Sequence, residues 1–143
     1  MRFLAIDLGE KRTGLAVGDD QTGIATPLGI IETRSPRERD RHIAEAIEDQ
    51  GPDALVIGLA LFMDGREGPG ARSARATADS LRAQFGLPVH LVDERLSSFA
   101  ADAQMSQSGL THKGKRQRRD ALAAAVLLRD FFRQRRERDP LRS

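Results

Sequence analysis

The sequence contains no cysteine among its 143 residues, which excludes disulfides and metal sites built from thiolates. Its longest strongly apolar stretch, residues 121–128, is far too short to cross a bilayer. A basic segment followed by an apolar core and a cleavage site is also missing at the N-terminus, so we expect no signal peptide. There is no internal repeat and no low-complexity domain. These absences favour a cytoplasmic protein that does not associate with membranes.

The composition is typical of a globular domain. Hydrophobic residues make up 39% and charged residues 31% of the chain, as in soluble globular proteins. A chain of this length has room for one core but not for a second full domain. We therefore predict a single domain over residues 1–138, followed by a flexible tail at 139–143.

Basic residues are concentrated in one segment, although the formal net charge is only +2. Residues 112–119 contain no acidic residue and hold five basic ones: Lys113, Lys115, Arg116, Arg118 and Arg119. Such a run occurs in nucleic-acid interfaces, but also on ordinary solvated surfaces. The run alone leaves both interpretations open.

The apolar stretch at residues 3–8 predicts a strand buried on both faces, because successive side chains of a strand point to opposite sides of the sheet. Asp7 interrupts this stretch, and a buried carboxylate is unfavourable unless something compensates its charge. Asp7 is therefore either a functional residue or the cap of the turn that begins at Gly9.

The remaining pattern predicts a mixed five-stranded sheet. Strands expected at 3–8, 12–17 and 24–31 are joined by short connections, which is typical of an antiparallel meander. Alternating helices and strands follow, which predicts two parallel strands and helices on both faces. The expected strands are 54–57 and 89–92. One helix is expected to begin at Ser35-Pro36, and three further helices are expected at 74–85, 99–105 and 116–135. The glycine-rich segment 62–72 is expected to be a mobile loop.

Three carboxylates could meet in this fold. Asp93 and Glu94 follow a buried strand, although acids there could equally cap the next helix. Asp120 lies on the apolar stripe of the last helix, where it could instead complement the helix dipole. Crowded carboxylates repel one another, and a divalent cation such as Mg²⁺ removes this conflict. Two such ions can promote phosphoryl displacement, and together with the basic surface alongside this suggests a polynucleotide substrate.

Four sequence blocks resemble the YqgF (RuvX) family of pre-16S rRNA nucleases, also described as Holliday-junction-resolvase-like proteins. The blocks are residues 7–19, 56–65, 93–98 and 120–125. The resemblance implies an RNase H-like fold, acidic site residues at Asp7, Glu94 and Asp120, and trimming of the 5′ end of precursor small-subunit ribosomal RNA. The chain departs from the family pattern at Gly18, Ala60 and Phe62, and at the two arginines before Asp120.

These observations predict a nuclease that uses Mg²⁺ or Mn²⁺, with Asp7, Glu94 and Asp120 as metal ligands. Structured precursor rRNA, within ribosomal assembly intermediates, is the expected partner. The residues expected to contact phosphates are Lys11, Arg12, Arg66, Lys113, Lys115 and Arg116. Branched DNA is an alternative substrate, and a binding module without turnover is an alternative class. A sugar-kinase-like ATPase is disfavoured, because that architecture needs two domains.

Overall fold

The structure is a computed structural model that describes residues 1–59, 64–93 and 112–138, with the side chains of 112–120 excepted. Within these ranges the sheet contains five strands: β1 (Arg2–Asp7), β2 (Arg12–Asp19), β3 (Ile24–Glu32), β4 (Ala54–Leu59) and β5 (Val89–Asp93). The helices of the same ranges are α1 (Pro36–Gln50), α2 (Pro69–Phe85) and α3 (His112–Arg138).

The strands form one sheet in the order β3-β2-β1-β4-β5, so β1 lies at its centre. The β1–β2 and β2–β3 pairs are antiparallel, whereas β1–β4 and β4–β5 are parallel. The predicted mixed sheet, with Asp7 on the central strand, is therefore confirmed.

The alternating side chains of β1 contribute to two separate cores. Leu4 and Ile6 belong to the core that contains α1 and α2 residues, while Phe3 and Ala5 belong to the core that contains α3 residues. All four side chains are fully buried. This double burial explains why the strand is apolar at every position from Phe3 to Ile6, and it confirms the prediction of helices on both faces.

Helix α1 begins where the sequence predicts. The Ser35 Oγ accepts a hydrogen bond from the backbone N–H of Glu38 at 3.3 Å, and Pro36 occupies the first helical position. This is a favoured helix start, because proline lacks the N–H that would be unpaired there. Gly51 ends the helix with a φ of 56°, a left-handed conformation that glycine adopts without strain.

Helix α2 begins earlier than predicted. The expected loop 62–72 extended to Arg72, but the helix starts at Pro69, after Gly68. Pro69 presets the helical φ at the first position, and Ala71 is fully buried on the same face as Ala74. The glycines at 68 and 70 favoured a loop in the sequence, but tertiary burial of the alanine stripe extends the helix.

Helix α3 also begins earlier than predicted, at His112 instead of residue 116. The part of α3 that packs on the sheet contributes four large buried side chains: Leu127, Leu128, Phe131 and Phe132. In the described ranges, no helix combines the length and apolar character needed to span a membrane. The helix expected at 99–105 and the tail expected at 139–143 lie outside the described residues.

Candidate nuclease site

The three parallel strands β1, β4 and β5 all finish at the same end of the sheet. We call this end, where their carboxyl termini lie, the Asp7 edge. Asp7, Leu59 and Asp93 are the last residues of β1, β4 and β5. Ligand sites of open α/β sheets collect at this kind of edge. Asp7, which is half-buried, ends β1, the central strand of the whole sheet.

Asp7 has the same strand parity as Phe3 and Ala5, and so lies on the face of the sheet that carries α3. Its partner across the β1–β2 ladder is Gly14. On the other side, Gly58 follows Ile57, which is the partner of Ile6 in the β1–β4 ladder. Asp7 is therefore flanked on both neighbouring strands by glycines, which have no side chain.

Helix α3 runs in the direction that brings its beginning toward the Asp7 edge. The ring of Phe131 lies 5.3 Å from that of Phe3 at the start of β1, and Arg136 lies beside Gly23 in the β2–β3 turn beyond it. Going back from residue 131, the helix covers about 16 Å to residue 120. Strand β1 covers about 13 Å from Phe3 to Asp7. The backbone position of Asp120 therefore falls near the level of Asp7.

The structure describes Asp93 but not Glu94. Val89 belongs to the core on the α1 and α2 side, whereas Val92 belongs to the α3 side. Asp93 shares the parity of Val89, so it lies on the face opposite α3. Position 94 shares the parity of Val92, but Glu94 lies outside the described residues. Its role as a ligand stays a prediction.

Several of the predicted phosphate contacts lie at the Asp7 edge. Lys11 is exposed in the β1–β2 hairpin, and its side chain has no ion pair with any described residue. Arg12 opens β2, with its Nη1 3.7 Å from the Glu32 Oε1. Arg66 lies between β4 and α2, and its Nε is 2.5 Å from the Asp64 Oδ2. Lys113, Lys115 and Arg116 belong to the first turns of α3.

The segment that precedes α2 is tied to that helix by an ion pair. Arg75 donates from Nε and Nη2 to the two carboxylate oxygens of Glu67, at 2.5 and 3.0 Å. These hydrogen bonds lower the pKa of Glu67 and raise that of Arg75. The pair restrains part of the segment that the sequence predicted as a mobile loop.

A pocket at the same edge was missed by sequence reasoning. It has a volume of ≈ 400 Å³ and lies between the β1–β2 hairpin and the first turns of α1 and α2. Arg34 and Arg39 line it, together with Leu8 and Ser73. The Ser35-Pro36 signal located the start of α1, but nothing in the sequence shows that α2 begins beside it.

The clearest pKa shift in the core occurs away from this edge. His90, the second residue of β5, lies with its ring 5.0 Å from that of Phe131. Burial lowers its pKa, and the positive charges of Arg135 and Arg82 lower it further. His90 therefore packs against α3 with a pKa below its ordinary value.

The described residues fit a divalent cation at one position. Within the described ranges, which omit Glu94 and the Asp120 side chain, no group of three or more metal-ligating residues occurs. Asp7 offers a carboxylate at the end of the central strand, with Gly14 as its partner on β2. Mg²⁺ is commonly held by only one or two carboxylates together with waters and phosphates, so Asp7 is a suitable ligand.

The mixed five-stranded sheet with helices on both faces is an RNase H-like fold of the resolvase type. RuvC from T. thermophilus, in complex with a Holliday junction substrate, matches with a TM-score of 0.59 at 22% identity, covering 94% of this chain and 96% of that one. The Fowlpox virus resolvase, also in complex with Holliday junction DNA, matches with a TM-score of 0.61 at 12% identity, covering 94% and 98%. These likenesses establish the fold.

The family is established by sequence. The RuvX family pattern, described as Holliday junction resolvase, matches residues 1–134. A relative from Anaeromyxobacter sp. (strain Fw109-5) that carries the provisional name pre-16S rRNA nuclease is 44% identical over 133 residues, covering 92% of this chain and 96% of its own. The chain belongs to the RuvX family, as its four sequence blocks predicted.

Proposed function

We propose that this protein is a metal-dependent endonuclease that processes the 5′ end of precursor 16S ribosomal RNA. The observation that carries the proposal is Asp7, a half-buried carboxylate at the end of the central strand with glycine on both neighbouring strands. The name of the 44% identical relative supports RNA as the substrate.

The proposed metal ligands are Asp7, Glu94 and Asp120, with Mg²⁺ or Mn²⁺ as the ion. When bound, a divalent ion in such a site lowers the pKa of a water and stabilises the leaving oxygen. Asp7 would hold the ion from a strand whose two faces are both packed. Asp120, whose backbone belongs to α3, and Glu94, which follows Asp93 in the sequence, would complete the ligand set. Asp93, on the opposite face, supports the strand end.

The proposed nucleic-acid surface surrounds these carboxylates with positive charge. Lys11 and Arg12 lie in and beside the hairpin that follows Asp7, while Lys113, Lys115 and Arg116 belong to the beginning of α3. Each can neutralise a phosphate without reading a base. Arg66 would contact a phosphate after its ion pair with Asp64 breaks. The expected partners are precursor rRNA and cytoplasmic ribosomal assembly intermediates.

The test compares wild type with Asp7→Asn, which keeps the shape of the side chain and removes its charge. Both are incubated with precursor 16S rRNA and Mn²⁺, and the products are mapped at the 5′ end. We expect cutting by wild type and its collapse in Asp7→Asn, with RNA binding retained. Asp49→Asn, a matched change at an exposed acid of α1, should cut normally.

Two outcomes would contradict the proposal. Equal turnover by wild type and Asp7→Asn would refute the site. Absence of turnover by all three proteins, with intact binding, would favour a binding module without catalysis. Circular dichroism and urea unfolding establish that each variant is folded before the rates are compared.

Cutting of branched DNA is a second candidate, and the family description as Holliday junction resolvase favours it. The chemistry would be the same, because metal-assisted hydrolysis acts on the phosphate. A four-way DNA junction in parallel reactions distinguishes the two substrates. Preference for the junction over precursor rRNA at equal concentration would overturn the RNA assignment.

A further inference from the structure

The pocket beside the Asp7 edge has the size and lining of a site for a phosphorylated ligand. Its volume of ≈ 400 Å³ falls in the range of cavities that hold small molecules, about 300–1,000 Å³. Leu8, Pro36 and Pro69 give it apolar walls, while Arg34 and Arg39 give it two guanidinium groups. The cavity therefore combines a surface for a sugar or base with a surface for an anion.

Arg39 is held in a fixed position at this pocket. Its Nη2 donates to the Thr77 Oγ1 at 3.4 Å, and its Nε donates to the Asp40 Oδ1 at 3.2 Å. Its side chain is 14% exposed. A guanidinium carries five N–H donors, so these two bonds leave others for a ligand. The side chain is positioned before any ligand binds, which reduces the entropy lost on binding.

Arg34 adds a second positive charge that is not neutralised within the described part of the chain. It is exposed and forms no ion pair or hydrogen bond with any residue described there. Glu10 contributes one carboxylate to the lining and Asp40 pairs with Arg39, so Arg34 is the lining arginine that has no ion-pair partner among the described residues. The first-turn amides of α2 reinforce this charge, because Gly68 has no side chain to cap them.

The position of the pocket connects it to the proposed nuclease site. Leu8 lines the pocket and directly follows Asp7, so the two features begin at adjacent residues. Leu8 packs against the core on the α1 and α2 side, whereas Asp7 lies on the α3 side. An RNA strand that passes around the Asp7 edge can place one phosphate at Asp7 and a neighbouring nucleotide in the pocket.

We propose that this pocket binds one nucleotide of the strand that is cut, next to the scissile phosphate. Its phosphate contacts Arg34 and Arg39, and its sugar and base contact the apolar wall. The proposal rests on the proposed nuclease function, because that function supplies the strand. The pocket thereby fixes how the strand lies across the edge, and Arg34 and Arg39 act as positioning residues.

The experiment measures binding of a short single-stranded RNA by fluorescence anisotropy, in an Asp7→Asn background that prevents cutting. Arg34→Glu reverses a charge that has no partner in the described ranges, and Ser73→Glu places a carboxylate on the α2 wall. Each should weaken binding by roughly tenfold or more, because Arg34→Glu removes a charge-assisted hydrogen bond and both changes place a carboxylate beside the bound phosphate. Arg37→Glu is the matched control: it is exposed, it reverses the same charge, and it does not line the pocket.

Each further outcome assigns the result to one proposal. If Arg34→Glu and Ser73→Glu bind RNA as Arg37→Glu does, the pocket proposal is wrong, whatever the wild-type protein cuts. If wild type cuts no RNA or junction but both pocket variants lose binding, the nuclease proposal fails and a nucleotide site remains. Titration with a free nucleoside monophosphate separates the two sources of the ligand. Affinity equal to that of the oligonucleotide would overturn the assignment to the substrate strand.

Discussion

Replacing Lys11 with alanine should change the salt dependence of RNA binding by a calculable amount. Lys11 is exposed at the Asp7 edge, and its side chain has no ion pair with any residue in the described ranges, so its removal costs the fold little. Loss of one phosphate contact reduces the slope of log K against log salt by about 0.7 for a single strand. The slope then converts directly into an affinity at each salt concentration.

The affinities of the Lys11→Ala variant and of the protein that retains Lys11 should be nearly equal at about 1 M salt and should diverge as salt is lowered. A slope difference of 0.7 makes the variant about fivefold weaker at 0.1 M and about 25-fold weaker at 0.01 M. Lys115→Ala with Arg116→Ala removes two proposed contacts, so its slope should fall by about 1.4. All sequences should be affected alike, because phosphate contacts carry no base information.

The assay is a titration of labelled single-stranded RNA at several salt concentrations, again in the Asp7→Asn background. Arg138→Ala serves as the control, because it removes one exposed positive charge at the far end of α3. A change of slope in Arg138→Ala equal to that in Lys11→Ala would show only an effect of net charge. An unchanged slope in Lys11→Ala would refute the proposal that the RNA strand contacts the β1–β2 hairpin.

Three further predictions concern stability and are measured by urea unfolding. Phe131→Ala should lose about 3–5 kcal/mol, because the side chain is buried against Phe3 and His90, and an effect below 1 kcal/mol would contradict the packing of α3. Ser35→Ala should lose about 1 kcal/mol with the helix cap, and Ser35→Asp should retain most of it. The lowered pKa of His90 stabilises the fold above its unfolded value near 6.5, and this contribution is lost as the pH falls below it. His90→Gln should therefore reduce the loss of stability between about pH 6.5 and 5, relative to wild type.

The central strand could be predicted from sequence because its burial leaves a direct trace. A strand that packs on two faces must be apolar at consecutive positions, so residues 3–6 identified the middle of the sheet and made Asp7 conspicuous. The start of α1 was equally readable, since Ser35 and Pro36 act through local hydrogen bonding and φ.

The start of α2 and the pocket could not be predicted in the same way. Gly68, Pro69 and Gly70 are as typical of a loop as of a helix start, and only burial of Ala71 against the sheet decides between them. The pocket needs the β1–β2 hairpin and the beginnings of two helices to converge from distant parts of the chain. No local pattern around Arg34 or Arg39 records that convergence.

The alternation along β1 has a consequence for which changes of chain length the protein can accept. Asp7 and its neighbours Ile6 and Leu8 project to opposite sides of the sheet, so a single inserted or deleted residue within β1 would exchange them. The carboxylate would enter the hydrocarbon layer under α1 and α2, and an aliphatic side chain would take its place. The β2–β3 turn at residues 20–23 lies at the other end of the sheet and carries no such constraint. Scanning single-residue insertions should thus find β1 intolerant over its whole length, and the turn permissive.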